Sequence, residues 1–174
     1  MVDFDKCKMT RYPDPVLAKT AKKIEKIDQN IKDLVEKMID IMIENKGVGL
    51  AGPQAGQQLR IFIISTDTSR ENVKVYINPK ITPKGQTENI EEGCLSLPGI
   101  YSKIKRYQQC SVTATDLDGN QFSQDAEGLL ARALQHEYDH IEGITILNRM
   151  GQVARIAARK KLKDLEEDFN NKEI

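Results

Sequence analysis

The sequence predicts an α+β fold in one domain. Three observations carry this expectation: apolar residues recur at the helical period from Ile31 to Met42, short apolar runs fill the middle of the chain, and two further helical patterns close it. Helix, then strands, then helices is not the alternation that builds a parallel βαβ sheet. A length of 174 residues supports one full-sized core and not two, so a single domain over 1–174 is expected. No repeat, low-complexity linker or domain boundary interrupts it.

The first helix is read from Ile31, Leu34, Val35, Met38, Ile39 and Met42, with Asp28 or Asn30 as its cap and Gly47 as its stop. Arg60 to Ser65 reads as a buried strand. Val73, Val75 and Ile77 alternate with polar residues as a second strand, which Asn78-Pro79 is expected to end. Further strands are expected near Gln86 to Ile90 and at Ser111 to Thr115, with Asp118-Gly119 turning the chain back through Gln121 and Phe122. Leu129, Leu130, Ala133, Leu134 and Ile141 give a second helix ended by Gly143. Val153, Ile156, Ala157, Leu165 and Phe169 suggest a third.

Lys plus Arg and Asp plus Glu number 26 each, so no net field draws the protein to a membrane or to nucleic acid, and sequence-specific nucleic acid binding is not expected. Cys7, Cys94 and Cys110 are an odd number in a chain that does not depend on disulfides, which suits a reducing compartment. Met1 to Thr10 lacks an apolar leader core, and no run approaches the roughly 20 apolar residues of a membrane span. A cytoplasmic protein is expected.

Chemistry concentrates in Gln135-His136-Glu137-Tyr138-Asp139-His140, within the second helix. Two histidines four residues apart share a helix face, with β-carbons about 6 Å apart, so both rings can converge on one metal ion while Glu137 reaches a water there. The bland alternative is a helix that carries two packed or exposed histidines. They are the chain's only two, however, and they lie on the side of Leu129 and Ala133, where unpaired polar rings are penalised by burial.

A catalytic metal site of this kind needs three protein ligands and an open position. In H-E-x-x-H proteases the third ligand lies downstream, where this chain offers no histidine and only Glu142, Glu166, Glu167 and Glu173. That reading is weakened and stays open. The upstream candidate is Cys94, in Glu91-Glu92-Gly93-Cys94-Leu95-Ser96-Leu97-Pro98-Gly99, where glycines and a proline indicate a loop that lets a thiolate approach an ion. Cys7 and Cys110 read better as small buried hydrophobes. Gly47-Val48-Gly49-Leu50-Ala51-Gly52-Pro53-Gln54 contains G-x-G-x-x-G, yet it follows a helix and precedes a strand, the reverse of a dinucleotide site. Taken alone, it reads as an ordinary loop with a solvent-facing Gln54.

Together, Gly47 to Gln54, Glu92-Gly93-Cys94-Leu95-Ser96 and Gln135 to His140 resemble the three signature motifs of the peptide deformylase family, in that family's order. The resemblance implies mixed or antiparallel β-sheets around a central metal-binding helix, with an N-terminal and a C-terminal helix. It implies a hydrolase that removes the formyl group from N-terminal formyl-methionine, with N-formyl-methionyl peptides as partners. Cys94, His136 and His140 would bind one divalent ion, Fe(II) in the cell, with Zn(II), Ni(II) or Co(II) as occupants of purified protein. Glu137 would be the general base and acid, and the Gln54 amide and Leu95 N–H would meet the developing oxyanion. Val48, Leu95, Leu129 and Ala133 would form a methionine pocket, with Gly49, Gly93 and Arg106 contacting substrate. Glu92 and Asp139 would hold the ligating rings by hydrogen bonds. A binding protein without catalysis would need neither Glu137 nor Gln54.

Two departures stand out. Ala51-Gly52, followed by Pro53, replaces the usual pair of alanines and should alter loop stiffness more than chemistry. Arg132, one turn before His136, stands where an apolar pocket residue is expected; it should snorkel to the rim or change substrate preference. The last helix carries Arg155, Arg159, Lys160, Lys161 and Lys163 ahead of Asp164, Glu166, Glu167 and Asp168. A solvated face is the default reading, and the resemblance implies ribosome contact there.

Overall fold

The computed structural model describes residues 2–171. Helix α1 spans Gln29–Glu44, and strands β1 (Gly49–Ala51), β2 (Ile61–Ile64), β3 (Lys74–Gly93), β4 (Tyr101–Thr115) and β5 (Gln121–Glu127) follow. Helices α2 (Gly128–Ile141), the single-turn α3 (Ile146–Arg149) and α4 (Gln152–Asn170) complete the chain. The strands form one antiparallel sheet in the order β1-β2-β3-β4-β5, each pairing with its sequence neighbour. Parallel pairing is limited, among the described residues, to an isolated bridge between Lys22 and Leu59.

β2 organises the interior because its four residues alternate between two buried faces. Ile61 and Ile63 pack with Leu34, Val35, Met38 and Met42 of α1. Phe62 and Ile64 pack on the other side with Ala131, Leu134 and Ile141 of α2. Each fully buried large aliphatic side chain contributes about 1.5–3 kcal/mol relative to exposure, so the paired apolar faces fix both helices on the sheet. A third cluster joins Cys94, Leu97, Ile100 and Ile104 to Ile146, Leu147, Met150 and Ala158. It ties the turn after β3 to α4.

Asp28 caps α1 by accepting from the Ile31 N–H at 3.3 Å. The helix ends at Glu44, three residues before Gly47, and the left-handed turn that closes it falls on Lys46, not on the glycine. Lys46 adopts the left-handed conformation at φ 55°, with Lys46 N–H on Ile43 O and Gly47 N–H on Met42 O, both at 2.9 Å. Gly47 serves a different need: a β-carbon there would lie 2.7 Å from Leu95 Cδ1.

Asn78-Pro79 does not end the second predicted strand. β3 continues to Gly93 through a register shift between Ile77 and Lys80, so the strand expected near Gln86 to Ile90 is its continuation. Proline is tolerated at such a bulge because the ladder there needs no N–H donor. Asn78, at φ 50°, accepts from the Ile24 N–H at 2.9 Å and donates to the Ile24 carbonyl at 2.8 Å, stitching the bulge to the segment before α1. β4 likewise begins ten residues before the predicted Ser111.

α4 forms where predicted and turns Leu165 inward as expected, but the rest of its buried stripe is shifted. Ala154, Ala158, Leu162 and Leu165 meet the third cluster, whereas Val153 is 82% and Ile156 65% exposed. Small alanines let the helix approach Leu97 and Ile100 closely. Tyr12 OH donates to Glu166 at 2.6 Å, and Lys161 donates to the Gly99 carbonyl. Among the described residues no helix is long and apolar enough to cross a membrane.

Candidate metal centre and active site

α2 runs through the middle of the fold, and its i, i+4 spacing sets His136 and His140 edge to face, with ring centroids 5.0 Å apart. The turn after β3 brings Cys94 against them, closed by the Leu97 N–H donating to the Cys94 carbonyl at 2.9 Å. Cys94 Sγ lies 3.2 Å from His140 Nε2, and ligand atoms of all three residues lie within 4.8 Å of one another. One thiolate and two imidazoles around a tetrahedral ion stand about 3.5 Å apart given ordinary bond lengths. The donor set therefore fits a borderline divalent metal such as iron, zinc, nickel or cobalt.

Burial works against charge on His136, but its hydrogen bonds to Cys94 and Glu92 outweigh it and hold the pKa well above the ordinary value. Burial, aided by His136 and Arg106, drives His140 well below it. A bound cation imposes neutral rings on both, since ligation needs the lone pair. Glu92 Oε2 sits 3.1 Å from His136 Nδ1, which turns Nε2 toward Cys94.

Gln54 is 1% exposed and does not face solvent as its loop alone suggested. It lies in a 3-10 turn over Gly52–Ala55, where Gly52 and Pro53 occupy the first positions. Its Oε1 accepts from the Ala51 N–H at 2.8 Å, which fixes the amide and directs Nε2 to Cys94 Sγ at 3.6 Å. The donor is thus aimed into the centre before any substrate arrives.

Glu137 is 3% exposed, and its Oε2 has no hydrogen-bond donor among the described residues. Burial raises its pKa to about 7, against the pull of His136 and Arg106. Gly49 makes room for it: a β-carbon at that position would lie 2.6 Å from Glu137 Oε1. A buried carboxylate that releases and takes a proton near neutrality suits general acid and base work.

A cavity of about 600 Å³ opens over this centre. Val48, Gly49, Gly93, Leu95, Leu129 and Ala133 line it, together with Cys94, Gln54, His136 and Glu137. Leu129 stands at the mouth, 54% exposed. Tyr101, which sequence reasoning missed, also lines the mouth and is 66% exposed. Its only signal was a register pairing with Gly93, invisible without the hairpin.

Arg106 corrects an expectation. It does not face the cavity as a substrate contact; it is 4% exposed beneath α2, with Nε and Nη2 on Glu92 at 3.1 Å each and Nη1 on Asp139 at 2.5 Å. Asp139 touches neither ligating ring and instead binds Arg106 and Arg149. Arg132 neither snorkels nor remains a plain pocket wall. Buried to 7% exposure, it donates to Glu92 at 2.6 Å, to Glu88 at 3.2 Å and to the Ile104 carbonyl at 3.2 Å. Truncating one partner of such a buried network strands the others, so Arg106→Met is expected to cost about 3–5 kcal/mol of unfolding free energy. Urea denaturation of the metal-free proteins measures it.

The downstream carboxylates are engaged elsewhere. Glu142 pairs with Arg60 at 2.7 Å, Glu166 takes the Tyr12 hydroxyl, and Glu167 meets Lys163 at 3.3 Å. Glu173 lies outside the described residues. Cys94 is the third donor that the fold delivers.

Comparison with known proteins agrees with this geometry. A sequence model described as polypeptide deformylase matches residues 6–155. Peptide deformylase 1 of Clostridium perfringens is 47% identical over 135 residues, covering 78% of this chain and 91% of that protein. The peptide deformylase of Thermodesulfovibrio yellowstonii is 41% identical over 155 residues, 88% of this chain and 94% of that one. Among solved structures, a plant peptide deformylase superimposes with a TM-score of 0.92 at 36% identity, covering 99% of this chain and 96% of that chain. The Plasmodium falciparum enzyme gives 0.91 at 35% identity, over 94% and 98% of the two chains.

Proposed function

The chain belongs to the peptide deformylase family, metal-dependent hydrolases that remove the N-formyl group from nascent polypeptides, and from that premise we propose how its own residues do so. The observation that carries the reading is the meeting of Cys94, His136 and His140 within 4.8 Å, beside a buried Glu137 and an oriented Gln54. Cys94, His136 and His140 hold one divalent ion. When bound, such an ion supplies Lewis acidity and lowers the pKa of water to about 7. Fe(II) is the occupant in the cell, and a ferrous thiolate site loses activity in air while a nickel-loaded one keeps it.

Glu137 accepts the proton of the water that attacks the formyl carbon and delivers it to the leaving amine nitrogen as the carbon–nitrogen bond breaks, releasing formate. Gln54 Nε2 and the Leu95 N–H donate to the developing oxyanion, each worth roughly 3 kcal/mol of barrier. Val48, Leu95, Leu129 and Ala133 enclose the methionine side chain, and the backbone at Gly49 and Gly93 runs along the peptide. The whole chain acts as one catalytic domain in the cytoplasm. The basic stretch of α4, exposed at Arg155, Arg159, Lys160 and Lys163, contacts ribosomal phosphates, so co-sedimentation with ribosomes should weaken with salt.

Anaerobically purified protein is expected to release formate from a formyl-methionyl peptide and to leave the acetylated peptide intact. Cleavage of internal peptide bonds, or equal action on both peptides, would overturn the assignment.

A further inference from the structure

Among the described residues, Glu92 is the one carboxylate hydrogen-bonded to a proposed metal ligand, and two arginines hold it. Its Oε2 faces His136 Nδ1 and Arg106 Nη2, each at 3.1 Å. Its Oε1 accepts from Arg132 Nη1 at 2.6 Å and from Arg106 Nε at 3.1 Å. Arg106 reaches Glu92 from β4, whereas Arg132 comes from α2, one turn before His136 and lining the cavity. We propose that Arg132 is a positioning residue for His136, acting through Glu92, so that the cavity wall and the ligating ring form one hydrogen-bonded unit. The proposal rests on the reading of His136 as a metal ligand.

The contacts favour this over a role in general stability. Arg132 and His136 stand four residues apart on one helix, and both reach the same carboxylate on β3, which pins α2 to the strand at two successive turns. The guanidiniums of Arg106, Arg132 and Arg149 face the carboxylates of Glu88, Glu92 and Asp139 in a buried or half-buried cluster. Without Arg132, Glu92 keeps the fork from Arg106 and the contact with His136 but loses the shortest of its hydrogen bonds. The carboxylate then gains freedom to rotate, and Oε2 is the oxygen that sets the His136 ring. Hydrogen-bonded supports of this kind change metal retention about 10–100-fold when removed.

The test loads wild type, Arg132→Met, Glu92→Gln and the double variant with nickel and follows its release to a chelator. Arg132→Met and Glu92→Gln are each expected to release nickel about 10–100-fold faster than wild type. The double variant should be no faster than Glu92→Gln alone, and Arg132→Lys should recover part of the loss. Unchanged release in Arg132→Met, or losses that multiply in the double variant, would overturn the proposal. So would a shift confined to the ratio of formyl-methionyl to formyl-alanyl peptide turnover, which would make Arg132 a pocket wall only. Should Arg132→Met not fold, Arg132→Gln, which keeps one amide donor, is judged by the same criteria. If His136→Ala retains nickel as wild type does, the ligand reading itself fails; wild-type retention in Arg132→Met alone fails only the proposal made here.

Discussion

Glu137→Gln is expected to leave the protein folded and metal-loaded while lowering kcat about 10²–10⁴-fold, the range that a positioned acid and base contributes. The amide occupies the same space beside Gly49, whose missing β-carbon admits the side chain, so the cavity keeps its shape. It cannot take a proton from water. Because the change touches proton transfer and not binding, KM should move little. The rate profile gives a second check. Burial lifts the Glu137 carboxyl to about 7, and a bound divalent cation pulls it down, so the acid limb of kcat/KM in the loaded enzyme lies below 7. Activity should rise with pH through that limb, since the base acts ionised, and the limb should vanish from the residual activity of the variant. Formate release measured from pH 5 to 9 on matched metal contents reads both effects; a variant with normal turnover would remove Glu137 from the chemistry.

What the sequence disclosed and what it hid divide along the range of the interactions. The α1 stripe and the paired histidines of α2 obey local periods, and both stand where those periods place them. Gln54 was visible as an amide donor, but its inward orientation was not, because that depends on the Ala51 N–H within a 3-10 turn. The true length of β3 was hidden by Pro79, which ordinarily ends a strand and here occupies a bulge whose Asn78 bonds to Ile24, far away along the chain. α4 deceived for a related reason: Val153 and Ile156 follow a helical period, yet the adjacent face of Ala154 and Ala158 approaches Leu97 and Ile100 more closely. The arginines were hardest to read. A lone charged residue in a strand or helix reads as solvated, and only the hairpin of β3 and β4 against α2 shows Arg106 and Arg132 converging on Glu92.

Cys94→Ala should abolish stoichiometric metal binding, the largest change expected of any single side chain here. Two neutral imidazoles remain, but the thiolate carries the negative charge that offsets a divalent cation in a buried site. Gln54 Nε2 also loses the sulfur at 3.6 Å on which it is aimed. The substitution itself is mild, since alanine keeps the backbone that closes the turn through Leu97 N–H and removes only a sulfur from the edge of the third apolar cluster. The metal-free forms should therefore melt within a few degrees of each other, which separates loss of a ligand from loss of fold. Adding nickel at 100-fold over its Kd should stabilise wild type by about 2.7 kcal/mol and leave the variant unmoved. Retention of one equivalent of metal in Cys94→Ala would contradict the three-donor centre, because Glu142, Glu166 and Glu167 are already committed to Arg60, Tyr12 and Lys163.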